Sequence, residues 1–151
     1  MTRSFPVIIV GCICALALAF GLVRIGVSLL LTLQSIGAFD LPTFAEPVAE
    51  VEQFLAIQNN HALIPLNPLS YFSVIAMMGF CLVFGAVLSW RQSRLGYGVL
   101  SVYLLAHAGL FVNFQTINPK INFLIAGVIL LIILVLSNQR RRSVNTEGVL
   151  S

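Results

Sequence analysis

Residues 69–90 read LSYFSVIAMMGFCLVFGAVLSW, 22 positions without one Asp, Glu, Lys or Arg. A bilayer core of roughly 30 Å is crossed by about 17–25 helical residues, because each buried N–H and C=O must find its partner within its own segment. The stretch meets that length, and three others do too. They are Phe5–Leu33 (29 residues, broken only by Arg24), Tyr97–Phe114 (18) and Ile121–Ser137 (17). No run of alternating polarity suggests a β-barrel. The fold expected is all-α: an integral membrane protein with four transmembrane helices in a single domain, 1–151. A segment at 34–68 lies outside the cytoplasm and a tail at 139–151 lies inside it.

Composition points the same way. Of 151 residues, 59% are hydrophobic and 9% charged, against roughly 45–50% and about 25% in soluble proteins. A mean hydropathy of +1.01 excludes a soluble globule, a disordered chain and a disulfide-stapled secreted module. Asn67-Pro68 and Asn118-Pro119 stand at the starts of the second and fourth spans. Asn there caps an orphan N–H and Pro fits the first helical position without losing a bond. Ser93 is placed to cap the third.

The net charge of +3 is small, but its distribution sets an orientation. Arg3, Arg91, Arg94, Arg140, Arg141 and Arg142 fall on one side, and Lys120 alone on the other. The positive-inside rule then predicts cytoplasmic termini, with the arginines at 91, 94 and 140–142 as topology anchors. Asp40, Glu46, Glu50 and Glu52 fall outside, and only Glu147 inside. A bacterial cytoplasmic (inner) membrane suits this pattern. Near the N-terminus, Ala17-Leu18-Ala19 imitates a signal-peptidase site and Ile9-Val10-Gly11-Cys12 a lipoprotein box. The apolar run continues past the first to Leu33, and only a short run precedes the second, so an uncleaved, unlipidated anchor is expected.

Within 34–68, Phe44, Val48, Val51 and Leu55 make one helical stripe over about 44–58, with Glu46, Glu50 and Gln53 opposite. Thr43 with Glu46 reads as a capping box, or Glu46 itself as the cap before Pro47. This amphipathic helix is expected to lie on the outer surface or to cover the mouth of the bundle. Its carboxylates read as a solvated face rather than half a metal site.

Arg24, Tyr103 and His107 are the polar residues inside spans that call for an explanation. Counting from Phe5 puts Arg24 nearly 30 Å along the first helix, near the outer hydrocarbon edge. Three readings stay open for it. One is an interfacial anchor, the second an ion pair with Asp40 or Glu52 that fixes the outer cap, and the third a substrate-binding group. Ala17, Gly21 and Ser28 share its face, so a close neighbour fits there. His107 stands near the midplane of the third span with Tyr103 one turn back. They form either a structural His–Tyr pair or a site for a proton, haem or quinone. Gly98, Ser101, Gly109 and Thr116 make a small-residue face opposite, the side that helix packing usually chooses. Cys12, Cys14 and Cys81 lie within spans and read as small hydrophobes.

No phosphate loop, HExxH, nucleophile–base pair or intramembrane carboxylate is present. Arg140–Arg142 reads as an anchor on lipid headgroups, not a nucleic-acid patch. The first expectation is therefore a small non-catalytic membrane protein, an accessory subunit or oligomer-forming scaffold. No cofactor is implied, and its partners are the bilayer and other membrane subunits or itself. Small-residue stripes at Gly11, Ala15 and Ala19, and at Ala76, Gly79, Val83 and Ala86, support this. The chain also resembles, over Gly21–Asp40, the DoxX-like four-helix membrane proteins, sharing their length and an Arg followed by Gly (Arg24, Gly26) in the first span. That resemblance implies a redox, quinone-linked function. The segment Ser35–Phe39 lacks the basic residue that the family pattern has near the end of this span, and no catalytic residue is carried across. A third possibility is a small anion transporter built on Arg24 and the positive ends of helices starting at Asn67 and Asn118.

Overall fold

The computed structural model describes residues 5–116 and 121–147, with side chains over 7–116 and 121–139. It is all-helical: α1 Phe5–Ser35, α2 Pro42–Gln58, α3 Pro68–Trp90, α4 Arg94–Phe114 and α5 Ile121–Glu147, with no strand among the described residues. Helices α1, α3, α4 and α5 are each long and apolar enough to cross a membrane. Large side chains such as Leu16, Phe84, Leu105 and Phe123 stay 60–70% exposed on their outer faces. Surfaces of that kind suit lipid and not water.

The caps follow from the residues. Asn67 accepts from the Ser70 N–H at 2.8 Å, and Ser70 Oγ accepts from the Asn67 N–H at 3.2 Å, a reciprocal capping box with Pro68 in the first turn. Ser93 Oγ accepts from the Leu95 N–H at 3.3 Å, so α4 starts at Arg94, three residues before the charge-free stretch. The turn between α3 and α4 is tight enough to hold Gln92 at φ 58°. Gly96 is needed there, since a Cβ on it would meet Ser89 N at 2.5 Å. Arg3, the Asn118-Pro119 pair and Lys120 lie outside the described residues.

Two boundaries differ from expectation. Helix α5 runs on to Glu147, so residues 139–147 extend a helix instead of forming a loose tail. Arg140, Arg141 and Arg142 lie on that extension, their side chains outside the described residues. Helix α2 begins at Pro42, and neither Thr43 nor Glu46 caps it. Gln34 reaches across instead, its Oε1 accepting from the Leu41 N–H at 2.9 Å. The Pro at the first helical position already lacks one orphan N–H, which leaves less for a side-chain cap to satisfy. Pro47 sits inside the helix.

The core runs through α1, α3, α4 and α5: Val10, Cys14, Met78, Leu82, Ala86, Leu100, Tyr103 and Leu134. Its most extensive seam is α1 on α3. A Cβ on Gly79 would lie 2.8 Å from Ile25 Cγ1 and 2.9 Å from the Gly21 carbonyl oxygen, and one on Gly21 would lie 2.9 Å from the Gly79 oxygen. Small residues are what let two backbones approach this closely in lipid, where no hydrophobic drive separates helix from solvent. At the Trp90 end, fully buried Asn138 donates from Nδ2 to the Ser89 carbonyl at 3.2 Å, tying α5 to α3.

At the other end α2 lies against α1 and α3. Val48 packs with Leu31 and Phe72, and Phe44, Val51 and Tyr71 support them. The stripe expected from the sequence is thus the face α2 turns inward, and it covers the bundle mouth. The following loop is pinned by two amides: Asn59 brackets Leu66 (2.8 and 3.1 Å), and Asn113 brackets Ile64 (2.8 and 3.0 Å).

Candidate functional site

Helix pairing sets the level of Arg24 within the bundle. Gly11 lies beside the Trp90 ring and Leu31 beside Phe72. The twenty residues between Gly11 and Leu31 span about 30 Å, the full hydrocarbon thickness. Arg24 is thirteen residues from Gly11 along α1, about 20 Å, and seven from Leu31, about 10 Å. The first residues of α1 overhang the Trp90 end, which the sequence count had no means of detecting. The end of α1 that follows Arg24 reaches α2, where Leu31 packs on Val48.

At that level the guanidinium finds a phenol. Arg24 Nη1 donates to Tyr103 Oη at 3.0 Å. Its Cζ also stands 5.6 Å from the Phe20 ring centroid and 5.7 Å from that of Tyr103, within cation–π range. Tyr103 Oη lies 3.5 Å from His107 Nδ1, a long contact in which Nδ1 accepts when the ring proton is on Nε2. His107 in turn stacks on Phe111 with centroids 5.5 Å apart and planes 15° apart. Arg24, Tyr103 and His107, singled out separately by their cost in lipid, therefore form one connected group.

The two carboxylates expected to pair with Arg24 do other things. Asp40 Oδ1 accepts from Gln34 Nε2 at 3.2 Å, and Glu52 is exposed on α2. The carboxylate that shares a cavity with Arg24 is Glu50, and no ion pair joins the two. This cavity, about 270 Å³, is a half-open cleft lined by α1, α2, α3 and α4. Arg24 and His107 line its deep end, and Glu50, Val51 and Phe54 of α2 roof it. Tyr71, Leu110, Phe111, Phe114 and Thr116 complete the wall. Along α4 it extends from His107 to Phe114, about 10 Å.

Phe54, Tyr71 and Phe114 form a mutual cluster on that wall, with centroids 5.3–6.4 Å apart. The sequence read Glu50 as part of a solvated face, and it is exposed while also lining the cavity. The available signal was that Glu50 and Phe54 stand one turn apart on α2, beside the apolar stripe that turns inward.

The packing of α4 departs from expectation as well. Gly98 and Gly109 have nothing within 4 Å of a Cβ, so its small-residue side is open. It is the large side, with Tyr103 and Phe114 buried, that meets the bundle. The interior supplies the polar partners that the Tyr–His pair needs, and lipid does not, so polarity outweighs close packing. Of the small-residue stripes, that on α3 is used internally, with Gly79 and Ala86 buried and Ala76 and Val83 half-buried. On α1, Ala15 and Ala19 are exposed. Cys12 is also exposed, Cys14 is buried, and Cys81 is intermediate. Arg91 and Arg94 are exposed beside Trp90, and Asn67 is not among the residues lining the cavity.

No protein-family model matches the chain, and neither a curated protein nor a solved structure matches it. The likeness to DoxX-like proteins thus stands on Gly21–Asp40 alone, and no residue role is taken from it.

Proposed function

We propose that this chain is a non-catalytic multi-pass protein of a bacterial cytoplasmic membrane, with both termini on the cytoplasmic side, that holds an anionic group at Arg24 beneath α2. One observation carries the reading: an intramembrane guanidinium that lines a cavity and is held by a phenol, without an ion pair to a carboxylate. A charged side chain at the bilayer centre is unfavourable by about 2.5–3.5 kcal/mol, and one within a span keeps part of that penalty unless something offsets it. Tyr103 orients the charge without neutralising it, so a positive potential remains for a ligand.

The test uses protein in nanodiscs and inorganic phosphate, propionate and chloride as probes, with thermal stabilisation as the readout. Saturable stabilisation by at least one anion, lost in Arg24→Gln, is expected. Stabilisation that fails to saturate, or that survives Arg24→Gln, overturns the proposal.

The accessory-subunit or scaffold reading keeps its own support in the uncovered Ala15–Ala19 side of α1. In a Cys12→Ala background, Ala15→Cys is expected to crosslink to a second copy or another membrane subunit in native membranes. Recovery of monomer alone would remove that reading.

A further inference from the structure

We propose that the cavity takes a zwitterion, with its anionic end on Arg24 and its ammonium between Glu50 and the rings of Phe54, Tyr71 and Phe114. The inference rests on the anion-holding reading of Arg24. The cavity carries one positive group at its deep end and one negative group on its roof, and the two do not meet. A simple anion would satisfy Arg24 but would have to pass Glu50 and bring net charge into a low-dielectric site, where desolvation opposes it. A ligand carrying both signs enters with no net charge and offers each wall its complement.

The aromatic cluster adds a second, independent indication of an ammonium. Three rings share the wall below Glu50, and ring faces attract cations within about 6 Å. Glu46 and Glu52 of the same helix do not line the cavity, so the single carboxylate turned toward the rings is Glu50. A volume of about 270 Å³ suits a small headgroup or amino acid and not a large metabolite. Two sources share this chemistry, an aminophospholipid headgroup drawn under α2 and a free phosphate- or carboxylate-bearing amine.

The experiment compares matched probes that differ only by the ammonium, against the full chain in nanodiscs of phosphatidylglycerol. Phosphoethanolamine is set against ethyl phosphate, and β-alanine against propionate. A lipid arm measures, by native mass spectrometry, which lipid stays bound after release from discs of equal phosphatidylethanolamine and phosphatidylglycerol. At least one zwitterion is expected to bind about tenfold more tightly than its matched anion, the scale of a cation–π contact plus an exposed ion pair. Glu50→Gln and Phe54→Leu are expected to remove that preference while leaving anion binding intact. A preference confined to the lipid arm assigns the headgroup as the ligand, and one seen with soluble probes assigns the free amine. Equal binding within each pair, indifferent to Glu50→Gln, overturns the zwitterion and leaves the anion reading standing. No Arg24-dependent binding of any probe overturns both. Because Glu50 is exposed on α2, its substitution tests recognition without disturbing the core.

Discussion

Gly79→Leu is expected to yield no folded bundle. Even a methyl at this position would sit 2.8 Å from Ile25 Cγ1 and 2.9 Å from the Gly21 carbonyl oxygen. The second of these is backbone and has no rotamer to retreat into. Leucine therefore forces α1 and α3 apart along their whole seam, and the contacts of Cys14, Met78 and Leu82 in the shared core are lost with it. Overpacking by a methylene or two destabilises by roughly 1–3 kcal/mol, and four added carbons against backbone should exceed the upper figure. Loss of the monodisperse peak in detergent chromatography is the readout. Gly98→Leu is the control, since nothing lies within 4 Å of a Cβ there. Equal stability of the two variants would mean that the α1–α3 seam is misplaced.

The second large effect is a coupling. Tyr103→Phe leaves a guanidinium inside the bilayer without its hydrogen-bond acceptor, and bonds to charged groups contribute about 1.5–3 kcal/mol. In an Arg24→Leu chain the same substitution should change stability by less than about 0.5 kcal/mol, because the hydroxyl then has no charge to hold. Arg24→Leu alone should remain folded, since it removes a charge from lipid and leaves its neighbours Phe20 and Tyr103 in place. Thermal unfolding of the four chains of the cycle measures this. Equal costs for Tyr103→Phe in both backgrounds would show that the 3.0 Å contact carries no energy. An Arg24→Glu chain that fails to fold and is rescued by Asp40→Arg or Glu52→Arg would restore the ion-pair reading.

What could be read without coordinates was what depends on nearby residues. Span length, the Asn67-Pro68 and Ser93 starts, and the apolar stripe of α2 are all set within a few turns, because lipid requires each helix to satisfy its own backbone. Arg24, Tyr103 and His107 were each recognisable as residues that are unfavourable in hydrocarbon. Their union was not, since it depends on the vertical offset between α1 and α4, and no local pattern encodes that offset. It is passed through α3, by Gly21 on Gly79 and by Gly85 on Leu100, and the result is that Arg24 reaches Tyr103. Glu50 and the rings of Phe54, Tyr71 and Phe114 entered the site for the same reason. The chain alone determined that there are four apolar helices and an amphipathic fifth. Tertiary packing decided which buried charge meets which partner, because helices that are apolar all round carry almost no record of which face turns inward.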